Sequence, residues 1–275
     1  MTNIGIIGQG FVGNAIYQKF KKYYRVLTYD LDDSKCNATK EELLENSEVI
    51  FVCLPTPMNS NGTCNLNIVE SVIKELNTLG KYLVVIKSTI PPGTTERFNS
   101  KYNNIDIIFN PEFLTEANAV DDFENQTRII LGGSKEGTTK LKQIYSSIFR
   151  KTSKIVKTDS RTAELIKYVT NAYLANKVSF ANEIYQICHG LDLDYDKIIE
   201  YATYDERLGL SHWGVPGPDG DFGYGGHCFP KDLSAIISLT KELNTVNNVL
   251  VATQKTNDSV RTNRDWEQMK GRAVS

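Results

Sequence analysis

The sequence predicts an α/β fold, a doubly wound parallel sheet in the N-terminal half, followed by an all-α domain. Two observations carry this. The first 157 residues alternate short apolar runs with amphipathic helical patterns, and after residue 158 the strands stop and long helical periodicity takes over. We therefore expect one domain over 1–157 and a second over 158–275, with a long linking helix between two halves of different character.

The strand candidates are Asn3–Gly8, Arg25–Tyr29, Val49–Leu54, Tyr82–Lys87, Ile105–Asn110, Arg128–Gly132 and Lys154–Lys157. Runs such as VIFVCL are continuously apolar, as strands buried on both faces of a parallel sheet require. Leu66–Leu79 and Lys135–Phe149 repeat apolar residues at helical spacing and supply crossovers. From Ser160 to Leu191 no Pro occurs, the one Gly stands at position 190, and Leu165, Tyr168, Val169, Tyr173 and Leu174 mark a helical stripe. A helix of about 30 residues would run ~45 Å. That exceeds a crossover and suits a domain link or a dimer interface. A short helix follows, then a Gly/Pro-rich loop over Gly209–Pro230, then one helix from Lys231 to about Arg261 and a polar tail over Thr262–Ser275.

Composition narrows the partners. Of 275 residues 40% are apolar and 23% charged, and the net charge of −2 is spread without a basic block. Nucleic acid is thus not an expected partner, because neutralising phosphates takes clustered Lys and Arg. No run approaches the ~20 apolar residues of a membrane span. The N-terminus, MTNIGIIGQGFVGNAI, lacks a basic flank and is Gly-rich, so it reads as a strand and turn rather than a signal peptide. Cys36, Cys53, Cys64, Cys188 and Cys228 are sparse and odd in number, with no C-x-x-C pair. Reduced thiols and a cytoplasmic location are expected. His212, Trp213 and His227 have no ligand spacing with other His, Asp or Glu, so no metal is expected and loop packing is the preferred reading.

Gly8-Gln9-Gly10-Phe11-Val12-Gly13 fits GxGxxG between a strand and a helix. The first Gly permits the turn, the second lets backbone approach a pyrophosphate, and the third allows close helix–strand packing. Free amides at the helix start suit phosphate. Asp30 falls 22 residues after Gly8, at the end of the second strand. It can accept hydrogen bonds from a ribose diol and would repel a 2′-phosphate, so the reading is a Rossmann-type domain for NAD rather than NADP.

Beyond Gly223 the chain reads GYGGHCFPKD. Small residues leave the Cys228 sulfur approachable, and Lys231 can favour the nucleophilic thiolate. Cys53 and Cys188 instead lie in apolar patterns and read as core.

GYGGHCFPKD resembles the active-site signature of the UDP-glucose/GDP-mannose dehydrogenase family. KSTIPPGTT from Lys87, NPEFLTEANAV from Asn110 and AELIKYVTNAYLANKVSFANE from Ala163 resemble further motifs of that family, in the expected order. The resemblance implies a four-electron oxidation of a nucleotide-sugar C6 alcohol to a uronate, most simply UDP-glucose to UDP-glucuronate. Two NAD are used, through a Cys228 thiohemiacetal and thioester. It implies Glu112 as base toward the water that cleaves the thioester, and Thr89 near nicotinamide and that water. Asp232 would orient the water or Lys167. Lys167 and Asn171, at i and i+4 of the long helix, share a face and suit a developing oxyanion. Lys35, Thr56 and Lys231 match cofactor-touching positions, and Glu116 matches a contact to cofactor or substrate. Phe113, Leu114, Tyr224 and Gly225 fall in substrate-contacting segments. Arg207, in DERLG, resembles an arginine that reaches the sugar nucleotide across a homodimer built on the central helical domain.

Ala117 stands where glycine is usual after FLxE, and Gln126 where proline is common. The larger departure is that relatives carry a C-terminal nucleotide-binding domain that this sequence does not include. A catalytically impaired NAD-binding scaffold, and half of a split enzyme with its cap on another chain, are therefore alternatives. A β-hydroxyacid-type dehydrogenase would share the fold plan, but needs no thioester and leaves GGHCFPKD unexplained.

Overall fold

The computed structural model describes residues 2–149 and 153–275. Within them the chain divides into two compact units, one comprising the described residues of Met1–Thr56 and Leu66–Lys167, the other Pro57–Asn65 and Tyr168–Ser275.

The first unit is built on β1 (Ile4–Ile7), α1 (Phe11–Phe20), β2 (Val26–Tyr29), α2 (Lys40–Asn46), β3 (Val49–Val52), α3 (Asn67–Leu79), β4 (Leu83–Ile86), α4 (Thr94–Lys101), β5 (Asp106–Phe109), α5 (Ala119–Glu124), β6 (Arg128–Gly132), α6 (Lys135–Ile148) and β7 (Lys154–Thr158). Among the described residues the strands form one sheet in the order β2-β1-β3-β4-β5-β6-β7. All seven expected strands are present. Side chains alternate between two apolar layers, as a period of two requires. Ile4, Ile6, Val49, Phe51 and Val85 enter one, and Ile7, Ile50, Val52, Val84 and Ile86 the other. Phe20 centres the first layer, edge-on to Phe51 at 5.5 Å and to Tyr145 at 5.6 Å. Each such fully buried side chain contributes roughly 1.5–3 kcal/mol.

The sheet departs from the all-parallel expectation at one place. β6 meets β5 antiparallel, through Phe109 and Gly132, and then pairs in parallel with β7. The chain turns back through the short α5 instead of a full crossover helix, so β6 enters reversed. A side chain at Gly132 would lie 2.4 Å from the Ala163 Cβ, which is why glycine ends β6. The strand order reverses between β1 and β3, the point at which α/β sheets bind ligands.

Helix α7 (Ser160–Gly190) is the predicted long helix, 31 residues. Its buried Glu164 accepts hydrogen bonds from the Gly93 and Thr95 amides and from the Thr95 hydroxyl, capping α4. In the second unit α8 (Tyr195–Ala202), α9 (Phe229–Glu242) and α10 (Asn248–Val260) follow. The single helix expected over Lys231–Arg261 is thus two. Asn244 has φ 57°, and the run Asn-Thr-Val-Asn-Asn is poor in helix formers and competes for its own backbone.

The tail is ordered, not merely polar. Trp266 and Ala273 are buried, and Met58 bridges Val274. Among the described residues no helix is long and apolar enough to cross a membrane.

Candidate active site

The fingerprint loop has the geometry its glycines imply. Gly8 has φ 93°, and a Cβ there would lie 2.4 Å from the Cys53 carbonyl oxygen. A Cβ on Gly13 would fall 1.9 Å from the Gly8 carbonyl oxygen, whereas Gly10 faces open space. Phe11 and Val12 begin α1, so their amides lie in its first turn. Asp30 accepts the Gln9 amide at 2.6 Å and the Asp32 amide at 3.0 Å, tying the end of β2 to the loop. A groove of about 590 Å³ opens beside it, lined by Gly10, Phe11, Thr28, Lys35, Cys36 and Asn37 among others. That volume suits a nucleotide-sized ligand. Lys35 pairs with Asp32 at 3.0 Å on the exposed rim. A smaller hollow of about 210 Å³ brings Glu116 together with Phe11 and Asn14.

At the carboxyl ends of β4 and β5 a second group converges. Thr56 and Thr89 are buried, and the Thr56 hydroxyl donates to the Thr89 carbonyl at 2.8 Å. Glu112 is buried, with one carboxylate oxygen 3.2 Å from the Lys167 Nζ and the other accepting the Leu114 amide at 2.8 Å. The Phe113 ring carries the Arg128 guanidinium at 4.1 Å and the Lys167 ammonium at 5.5 Å. Sequence reasoning missed Lys87. It is buried, donating to the Asn110 Oδ1 at 3.0 Å and the Pro111 carbonyl at 3.4 Å. Burial pulls its ammonium down to about 8, against the pull of Cys53 and Glu112. The same burial pushes the Cys53 thiol up to about 12. Lys87 opens the quoted KSTIPPGTT motif, but a lysine ending a strand reads as solvated until its partners are known.

In the second unit Cys228 is half-buried at the N-cap of α9, ahead of Phe229 and Pro230 in the first turn. The unpaired amides of a helix start favour a negative sulfur. Asp232 is buried. Asn171 donates to its Oδ2 at 2.6 Å, and Lys231 pairs with its Oδ1. Burial alone would lower the Lys231 ammonium. The Asp232 carboxylate, with the Cys64 and Cys228 sulfurs, outweighs that and holds it above the ordinary lysine range.

Tyr224 is buried, and a side chain on Gly225 would strike the Arg261 guanidinium. Arg207 stands apart from these groups. It is exposed and held by Asp205, with its Nε 2.9 and 3.0 Å from the two carboxylate oxygens. His212 packs on Phe229 at 5.9 Å, and Trp213 donates to the Gly209 carbonyl at 2.9 Å. Among the described residues no group of three or more His, Cys, Asp or Glu side chains is arranged to hold a metal ion.

The sequence profile of the UDP-glucose/GDP-mannose dehydrogenase family NAD binding domain matches residues 35–152, and that of the family's central domain matches residues 161–259. The chain belongs to the UDP-glucose/GDP-mannose dehydrogenase family. It is 33% identical over 278 aligned residues to UDP-glucose 6-dehydrogenase of Rickettsia bellii, covering 94% of this chain and 62% of that one. A UDP-glucose dehydrogenase structure from Pyrobaculum islandicum superposes with a TM-score of 0.84 at 27% identity, covering 94% of this chain and 68% of the other. The chain thus spans about two thirds of the length of these family members. A Mycobacterium tuberculosis 3-hydroxyisobutyrate dehydrogenase shares the fold, with a TM-score of 0.75 at 15% identity and 94% of both chains covered. Fold therefore does not separate the two activities, and the choice rests on the site.

Proposed function

We propose that this chain is an NAD-dependent nucleotide-sugar dehydrogenase that oxidises a C6 alcohol to a uronate, with UDP-glucose as the substrate, through a covalent intermediate on Cys228. The observation that carries the reading is the half-buried Cys228 at a helix N-terminus, directly ahead of a buried network in which Asp232 binds Lys231 and Asn171. A 3-hydroxyacid dehydrogenase, which ends after one hydride transfer, has no use for a thiol there.

NAD supplies the hydride acceptor when bound. Gly8, Gly10, Phe11, Val12 and Gly13 would cradle its pyrophosphate. Asp30 and Lys35 would hold the adenosine ribose, and Thr56, Thr89, Glu116 and Lys231 complete its contacts. The open face of Gly10 and the groove beside it fit a dinucleotide. The sulfur of Cys228 adds to the aldehyde carbon formed in the first oxidation, and a second hydride loss leaves a thioester. Water then attacks the carbonyl carbon, the carbon–sulfur bond breaks, and the sulfur departs as thiolate. Glu112 takes the water's proton. Lys167 and Asn171, both fixed by hydrogen bonds to carboxylates, supply positive charge and an amide donor for the oxyanion. Asp232 positions Asn171 and Lys231. Phe113, Leu114, Tyr224 and Gly225 contact the sugar.

We further propose a homodimer through α7. Val169, Tyr173, Phe180 and Ile187 recur at helical spacing and are 52–61% exposed. A partner would cover this stripe and receive Arg207.

Purified protein given NAD with UDP-glucose, GDP-mannose or UDP-N-acetylmannosamine tests the activity. Release of two NADH per UDP-glucose consumed supports it. No NADH from any of the three overturns it, leaving a dinucleotide-binding scaffold.

A further inference from the structure

The loop that delivers Cys228 is made of residues least able to hold a shape. Gly223 and Gly226 have φ of 68° and 70°, and the segment Gly223–Gly226 contains one side chain. Glycines lose the most freedom on ordering, so something outside the loop must fix it. The structure supplies this from three side chains. The Gly223 amide donates to the Asn182 Oδ1 at 3.1 Å, and the Tyr224 amide to the Asn257 Oδ1 at 2.7 Å. The Gly226 amide donates to both Asp265 oxygens, at 3.2 and 3.1 Å. Asn257 also donates to the Tyr224 carbonyl at 3.1 Å. Three of four loop amides are therefore bound by side chains, and Asn182 and Asn257 are each 2% exposed.

Asp265 is itself held. The Arg261 side chain, 1% exposed, lies 3.4 Å from Asp265, 2.6 Å from Asp219 and 3.5 Å from Asp221. Its Nε donates to the Asn263 carbonyl at 2.7 Å. A Cβ on Gly225 would come within 2.2 Å of the Arg261 guanidinium and 2.5 Å of the Asp265 carboxylate, so the loop is wrapped directly on this pair. Arg261 and Asp265 lie beyond the residues that match the family's central domain, 161–259.

We propose that Asp265, braced by Arg261, is a positioning residue for the nucleophile: it fixes the Gly226 amide two residues before Cys228 and so sets where the sulfur stands at the start of α9. The inference rests on Cys228 being the nucleophile. A reacting atom displaced by about 1 Å can cost on the order of a hundredfold in rate, so a loop of glycines in this position gains from an external clamp.

The test compares wild type, Asp265→Ala and Asp265→Asn, the last keeping an acceptor for the Gly226 amide. Cys228 alkylation by iodoacetamide at pH 7 is followed by peptide mass mapping, with kcat and the KM for NAD measured alongside. Asp265→Ala should slow Cys228 alkylation at least about fivefold and lower kcat at least about tenfold, leaving the KM for NAD within about twofold. Asp265→Asn should recover most of both rates. Wild-type alkylation and kcat in Asp265→Ala, with only thermal stability reduced, would overturn the proposal. Should Asp265→Ala not fold, hydrogen exchange on the wild-type protein decides, since a Gly226 amide exchanging as fast as an open chain rules the clamp out. The alkylation readout needs no turnover, so a wild type without dehydrogenase activity would sink the proposed function while leaving the clamp measurable.

Discussion

Asn171 donates to the Oδ2 of Asp232 at 2.6 Å, 61 residues away in sequence, while Lys231 takes the other oxygen of the same carboxylate. Asp232 is 1% exposed, so its charge is affordable only because both oxygens are bound. Asp232→Ala strands the Lys231 ammonium and should cost about 3–5 kcal/mol of stability, read as a lowered denaturant midpoint. With the Lys231 ammonium raised above its ordinary 10.5, the pair's stabilisation is fully present below that pH and is lost only as pH rises through the higher folded value. The Asp232→Ala deficit should therefore stay constant from pH 6 to 9. A deficit that disappears across that range contradicts the pairing.

Lys87 makes the opposite prediction. Its folded value of about 8 lies below the ordinary 10.5, so unfolding takes up a proton between the two, and stability rises with pH across that window. The charge it must carry below pH 8 costs about 3 kcal/mol. Lys87→Met should stabilise the protein at pH 7 by about 1–3 kcal/mol and flatten the rise between pH 8 and 10.5. Urea unfolding at pH 7 and 10 reads both effects, and a Lys87→Met variant that is less stable at pH 7 refutes the buried charge.

Asp30 should set cofactor choice. Its carboxylate is already oriented by the Gln9 and Asp32 amides, so a ribose diol meets a fixed acceptor and a 2′-phosphate meets a fixed charge. Asp30→Asn should weaken NAD binding by about 1–2 kcal/mol and narrow its margin over NADP. Calorimetric titration of both cofactors measures this, and equal binding of the two by wild type removes the argument.

The exposed stripe of Val169, Tyr173, Phe180 and Ile187 predicts association, since buried apolar surface gives ~25 cal/mol per Å². Light scattering should report about twice the 30.9 kDa chain mass. Chains bearing Arg207→Ala mixed with chains bearing Cys228→Ser should regain part of the activity, because one mixed site keeps both residues. A fully active monomer contradicts the shared site.

The strands were legible because burial on both faces leaves continuous Ile/Val runs, and the fingerprint because its glycines answer to local backbone geometry. Cys228 stood out by its small and polar neighbours, and the roles proposed for Lys167, Asn171 and Asp232 came with the family resemblance. What the residues concealed is nonlocal. Nothing near Lys87 announces that Asn110 will receive it, and nothing in the polar tail announces that Val274 meets Met58 or that Asp265 holds Gly226. The reversal of β6 and the break between α9 and α10 were missed because each turns on a short connection, where helical periodicity carries little signal.

The central claim is covalent catalysis by Cys228, and the most direct measurement is the ratio of NADH formed to UDP-glucose consumed by Cys228→Ser. Serine is the weaker nucleophile and its ester the slower to hydrolyse. On this mechanism the variant stalls after the first oxidation, with no more than one NADH per sugar and no free uronate, while wild type gives two. Two NADH per sugar and full conversion to the uronate by Cys228→Ser would contradict it.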